Sequence, residues 1–271
     1  MKGKKFLIGI VAALSLIGLA ACSGSSTNSL KKIQDKGTLV VATAADFAPY
    51  EYQTVVNGKN TIVGSDIDMA NEIGKELGVK VKFENMDFNN VLTAVQSGKT
   101  DIAISGISNT PDREKSFDFS TNYYNGGNVV VVKKSEVGKY TSVASLAGKQ
   151  VTAQKGSIQE GIVTDQLKKA TEVALTDTNS EISEVQGGQV AAAVLDEVVA
   201  KQYVMANSDL AIAKIPLKQP TGAAGMAIAM PKDSGALKTK IDSIVQKLIK
   251  NGTIQKEIDD NIAKANAAAK K

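Results

Sequence analysis

Asp101-Ile102-Ala103-Ile104-Ser105-Gly106-Ile107-Ser108-Asn109-Thr110-Pro111-Asp112-Arg113 is the stretch from which the fold can be read. Ile102 to Ile104 form a short apolar run bounded by turn residues, which suits a buried strand. Thr110 can cap a helix, Pro111 fits the first helical position and Asp112 suits the positive end of the helix dipole. Arg113 falls in the same first turn, where the amide ends are already partly positive, so it breaks the local rule. A polar turn, a helix N-terminus and a guanidinium fork together can hold a carboxylate or phosphate. A lone Arg at such a place is by itself more often a solvated surface residue, so the case rests on what surrounds it.

Outward from this stretch, the 271 residues are enough for a full core and for two lobes. The chain has no His, no Trp and one Cys, which excludes His-based catalysis, His or Cys₄ metal sites and a disulfide framework. No cofactor and no metal are expected. The basic Met1-Lys2-Gly3-Lys4-Lys5, the apolar run from Phe6 to Leu19 and the closing Leu19-Ala20-Ala21-Cys22 read as a signal peptide over 1–21. Its loss removes three of the 32 basic side chains against 28 acidic ones, close to balance, so the formal charge of +4 is no argument for nucleic acid. Ser23 to Ser29 is a small-residue tether, and residues 22–36 form a tether and leader ahead of the folded body.

The order of elements is that of an α/β fold with largely parallel sheets. A strand at Thr38 to Thr43 meets a loop carrying Phe47, Tyr50 and Glu51, and Asn57-Gly58 between β-branched runs marks a hairpin. Asp66 to Leu77 reads as a helix, Val79 to Phe83 as a strand and Asn89 to Gln96 as a helix before the decisive stretch. Tyr123 to Asn128, with its paired glycines, looks like a crossing segment into the all-valine strand Val129 to Val132. A second α/β series follows: strand Gln150 to Ala153, helix Ile158 to Lys169, strand Val173 to Leu175, helix Ser180 to Gln186, strand Val190 to Leu195, then Asp196 opening a helix. Thr221 to Gly225 offers a second crossing, Gly225 to Met230 a strand, and the chain ends in helices. The expected organisation is two Rossmann-like lobes, 37–125 plus 226–271 and 126–225, hinged about a cleft. Ligands of such sheets sit beyond the strands' carboxyl ends, where Phe47, Phe88, Ser105 and Arg113 all fall.

Several segments in combination resemble the solute-binding lipoproteins that feed polar amino acids to bacterial ABC importers, the extracellular solute-binding proteins of family 3. They are Ala42 to Tyr52, Val63-Gly64-Ser65-Asp66-Ile67-Asp68, Met86-Asp87-Phe88, Ser97 to Arg113, Asp118-Phe119-Ser120 with Tyr123-Tyr124, Leu195-Asp196-Glu197 and Asn251-Gly252-Thr253. The resemblance covers nearly all of the mature chain and implies a type II periplasmic-binding-protein architecture. It also implies a lipid on Cys22, which holds a monomeric receptor on the outer face of the cytoplasmic membrane beside its permease. Position by position, Arg113 takes the place of the arginine that clamps the ligand α-carboxylate, with main-chain N–H groups at Ser108 and Ile158. Asp196 takes that of the acid for the α-ammonium, with the Ser108 hydroxyl and the Gly106 carbonyl, and Phe47 and Phe88 that of an aromatic sandwich.

Departures from the family pattern bear on the ligand. Ala44 stands where dibasic receptors carry an Asp, and Gln154 where glutamine receptors tend to have Lys, so a neutral polar amino acid is favoured over a dibasic one. Ser65 replaces a usual aromatic, and the last helix lacks a Trp. An alternative on the same scaffold is a periplasmic dehydratase using Glu51, Asp46 or Glu197 as general acid. A third is an adhesive lipoprotein with no small ligand.

Overall fold

The computed structural model describes residues 29–268; the expected signal peptide, Cys22 and most of the tether lie outside them. Helix α1 (Ser29–Lys36) leads into β1 (Thr38–Thr43). Strands β2 (Asp46–Phe47), β3 (Glu51–Val56) and β4 (Lys59–Val63) make a small antiparallel sheet, turned at Asn57-Gly58, where both residues have positive φ. Then come α2 (Ser65–Leu77), β5 (Lys80–Asn85), α3 (Phe88–Gln96), β6 (Ile102–Ala103), the single-turn α4 (Pro111–Glu114) and β7 (Phe117–Phe119). The other half holds β8 (Asn128–Lys133), β9 (Gln150–Gln154), α5 (Ile158–Gln166), β10 (Thr171–Leu175), α6 (Thr178–Gly187), β11 (Ala192–Asp196), α7 (Glu197–Ala206) and β12 (Leu210–Ala213). The chain closes with β13 (Ala229–Pro231), α8 (Ala236–Lys250) and α9 (Thr253–Ala268).

Two five-stranded sheets share one construction, with orders β5-β1-β6-β13-β7 and β10-β9-β11-β8-β12. In each, the strand in fourth place runs against its neighbours, and it is the strand that follows a crossing segment. The first three strands of each sheet are parallel. Apolar side chains are buried on both faces, as a sheet covered by helices on both sides demands. Val41, Ile102, Ile104, Ile228 and Met230 pack toward α2 and α8, while Ala42, Ala103 and Ala229 meet Val91 and Val95 of α3. In the other sheet Val130, Val132, Val151 and Val194 pack toward α5, and Val131 and Leu195 toward α6.

Three of the differences from the sequence expectation have a clear local cause. The Gly225 to Met230 strand shrinks to β13, because Met226 makes only isolated bridges to Ser108 and Tyr124, which tie the crossing segments together. Helix α5 stops at Gln166 and not Lys169, since Leu167 to Ala170 form the turn that feeds β10. Strand β7 was not expected, because three residues with aromatics at alternate positions are too short to show a period. Among the described residues no helix is long and apolar enough to cross a membrane.

Candidate functional site

A cleft with about 570 Å³ of empty space, part of it open to solvent, lies between the ends of the two sheets. Phe47, Phe88, Gly106, Ser108, Arg113, Gln154, Ile158 and Asp196 all line it, so the structure brings together every pocket residue singled out in the sequence. They arrive there because β6, β9 and β11 end at the cleft and because α3 and α5 begin at it.

Arg113 is set by a local device read from the sequence: Thr110 Oγ1 accepts the Arg113 N–H at 3.3 Å, and Pro111 opens α4. Its guanidinium turns away from the helix. Nη1 donates to the Ser108 carbonyl at 2.6 Å and Nη2 to the Gly156 carbonyl at 2.9 Å across the cleft. The carbon of the fork stands 5.9 Å from the Phe88 ring centroid, a cation–π distance. Burial pushes the guanidinium pKa down to about 10, so it stays charged at neutral pH. On the facing side, the Gly156 N–H is taken by Glu160 Oε2 at 2.7 Å and the Ser157 N–H by the Gln154 carbonyl. Of the amides in this turn, that leaves the Ile158 N–H, which has no helical partner at the start of α5 and was the one expected to meet the α-carboxylate.

Asp196 ends β11 and caps α7, its Oδ1 accepting from the Val198 N–H at 2.8 Å and the Val199 N–H at 3.2 Å. Oδ2 lies against Gly126 so closely that a Cβ there would overlap it. Burial pushes the carboxyl pKa up to about 6, while the Val199 and Val198 N–H groups and Lys201 pull the other way and Glu197 adds to the rise. The N-cap role that the sequence allowed is real, and it leaves one oxygen over. Gly106 holds φ 54 beside the Phe47 ring, where a Cβ would sit 3.0 Å from the ring edge, so the turn after β6 tolerates no side chain. Phe47 stacks on Tyr50 with ring centroids 5.8 Å apart, and Tyr124 meets Tyr50 in a tilted arrangement at 5.6 Å, so Phe47 is backed by two further rings.

Sequence reasoning missed how deeply two further acids enter the same cleft. Asp46 accepts at Oδ2 from the Thr178 N–H at 2.7 Å and Gln154 Nε2 at 3.1 Å; its Oδ1 is buried and receives no donor. Burial pushes Asp46 up to about 6, opposed by the Thr178 N–H and helped by Asp177. Glu51, fully buried, accepts from Ser105 Oγ at 2.9 Å through Oε1, while Oε2 receives no donor. Burial first and the neighbouring Asp66 charge second hold its carboxyl well above the ordinary range. The sequence had offered both acids only as catalytic candidates, because a loop before a hairpin gives no period from which their direction can be read. Glu197, the third of those acids, lies outside this lining and pairs with Lys201 at 2.6 Å.

The family model for bacterial extracellular solute-binding proteins, family 3, matches residues 39–262. The chain belongs to that family. Its sequence is 34% identical over 262 residues to the arginine-binding extracellular protein ArtP of Bacillus subtilis (strain 168), covering 93% of this chain and 96% of that one. Its structure is similar, at a TM-score of 0.83 and 49% identity, to the amino acid ABC transporter substrate-binding protein AbpA from Streptococcus pneumoniae Canada MDR_19A bound to L-arginine, over 87% of this chain and 98% of that one. A cyclohexadienyl dehydratase of Pseudomonas aeruginosa is a more distant relative, 25% identical over 95% of this chain and 94% of that one. This family 3 protein is thus the extracytoplasmic substrate-binding component of an amino-acid ABC transporter, with the type II periplasmic-binding-protein fold, and not an enzyme.

Proposed function

We propose that the amino acid captured in the cleft is L-arginine. The observation that carries this is the pair of buried acids among the cleft residues, Asp46 and Glu51, each with one carboxyl oxygen, Oδ1 and Oε2, that receives no donor. A buried acid without a partner is costly, and a guanidinium offers five donors in a fork that matches two carboxyl groups. The α-carboxylate then rests on Arg113 and the Ile158 N–H, the α-ammonium on Asp196 with Ser108 and the Gly106 carbonyl, and the side chain between Phe47 and Phe88. Relatives described as arginine-binding, one of them bound to L-arginine, support the same reading. This reading departs from the neutral ligand favoured on account of Ala44, because acids at positions 46 and 51 also line the cleft. Calorimetric titration of the domain from residue 29 with arginine, lysine, citrulline and glutamine tests it. Arginine should bind most tightly, and citrulline, its uncharged isostere, should be weaker by one order of magnitude or more; equal affinities would remove the two acids from the site.

The lobes we assign are 37–125 with 226–271, and 126–225, closing about the crossing segments. Residues 1–21 are read as a signal peptide, with lipid on Cys22 as the anchor of a monomeric receptor beside its permease. Fractionation after Cys22→Ser, with the protein appearing in the medium in place of the membrane, tests the anchor.

A further inference from the structure

We propose that Asp46 is the catch that holds the two lobes shut, through the Thr178 N–H and the Gln154 side chain. Asp46 belongs to β2, which is paired with β3 on one side of the cleft, whereas both donors come from the sheet and helix on the other. Among the described residues, four hydrogen bonds join Asp46 or Arg113 to residues between 150 and 206. Three end on Asp46: those from Thr178 N–H at 2.7 Å and Gln154 Nε2 at 3.1 Å to its carboxylate, and a weaker one at 3.3 Å to its carbonyl from the Tyr203 hydroxyl, whose single proton is shared with Asn179 Oδ1 at 2.8 Å. The fourth is the Arg113 bond to the Gly156 carbonyl.

The Thr178 donor is the strongest of these by its chemistry. Thr178 is the first residue of α6, so its N–H is one of the amides that the helix itself leaves unpaired, at the positive end of the dipole. A carboxylate there makes a charge-assisted bond and draws on the helix as well. The bond can form only when the lobes meet, because the Asp46 carboxylate and the Thr178 amide belong to elements on opposite sides of the cleft. Thr178 does not line the ligand cleft, so its amide acts on closure without touching the ligand. The other oxygen of the same carboxylate is buried and receives no donor, and Asp46 is one of the cleft residues. A cationic side chain placed there would keep Asp46 ionised and so tighten the catch; this coupling, unlike the catch itself, rests on the arginine reading.

A pair of substitutions separates the amide from the side chain. Thr178→Pro deletes the N–H at a helical position that accepts proline, and Asp177 before it is already extended at φ −144 and ψ 150, as a residue preceding proline must be. Thr178→Ala keeps the N–H. Both are titrated calorimetrically with L-arginine, or, where arginine gives the parent no thermal shift, with the amino acid that shifts it most. A parent that ignores arginine and binds another amino acid sinks the ligand reading and leaves the catch fully testable. Thr178→Pro should bind at least tenfold more weakly than Thr178→Ala, and small-angle scattering at saturating ligand should show it more open. Equal affinities and equal radii of gyration for the two variants overturn the proposal. Should Thr178→Pro not fold, scattering from Asp46→Ala decides: a ligand-saturated radius of gyration equal to the parent's overturns it, and a larger one supports it.

Discussion

Arg113 and Gly156 meet across the cleft, the guanidinium Nη2 donating to the carbonyl at 2.9 Å while Nη1 holds the Ser108 carbonyl on its own side. One side chain thus touches both walls of the site. Arg113→Ala removes the only cationic partner among the cleft residues for an α-carboxylate, and should weaken amino-acid binding by about 3–5 kcal/mol, the range for stripping one member of a buried ion pair. Arg113→Lys keeps the charge and loses the fork, so it should recover only part of the affinity. Calorimetry giving the parental affinity for Arg113→Ala would take this residue out of the site.

Asp196 and Asp46 should make binding sensitive to acid. Both carboxyls sit at about 6 in the absence of ligand, raised chiefly by burial. A cationic partner favours the ionised form and lowers those values, so binding releases protons when the pH is near or below 6. Affinity should be flat above pH 7 and fall by about tenfold per pH unit, for each carboxylate that must ionise, below 6. Asp196→Asn should flatten the part due to the ammonium partner and weaken binding at every pH. Titrations in buffers of different ionisation enthalpy read the protons directly, and a pH-independent affinity between 5 and 8 would contradict the assignment.

The ligand-free protein should respond to pH in the opposite sense. Glu51, Asp66 and Glu181 are buried and their carboxyls are raised, mainly by burial, and Asp46 and Asp196 add to the set. In the window from the unfolded value, about 4, up to each folded value, the native state binds more protons than the unfolded chain. Unfolding free energy without ligand should therefore fall as pH rises from about 4 through 6 and beyond. Glu51→Gln keeps the acceptor for Ser105 and cannot ionise, so it should remove its own share of this slope while narrowing the discrimination between arginine and citrulline that Asp46 still supports. Urea denaturation at a series of pH values, with and without ligand, separates the two effects.

Gly126 has no room for a side chain, because a Cβ would overlap Asp196 Oδ2. Gly126→Ala should push that carboxylate off its place and cost binding about 1–3 kcal/mol, the usual penalty of overpacking. The change is at the mouth of a crossing segment and away from the buried valines of β8, so the melting temperature without ligand should move by only a few degrees. A parental affinity in this variant would show that Asp196 has freedom which the geometry denies it.

How much of this was legible beforehand depended on whether a signal was local. The strand–turn–helix entry at Ile102 to Arg113 could be read directly, since Thr110, Pro111 and Arg113 act on neighbours within three residues. Asp196 at the junction of β11 and α7 was visible for the same reason. The part of Gln219 was not: its amide donates to the Gly126 carbonyl at 2.6 Å and accepts from Asn128, joining the two crossings, and no pattern near position 219 announces it.

By itself the sequence determined the α/β alternation, the two crossings, the polar turns at the strand ends and the family, because each rests on periodicity or on residues that cap and turn their own segment. Only the tertiary structure decided which way the acids of the Asp46–Glu51 loop point, since that is set by contacts with Thr178 and Ser105 far along the chain. The reading of the ligand turned on that point: a missing acid at Ala44 says nothing about a carboxylate delivered to the same space from two or seven residues further on.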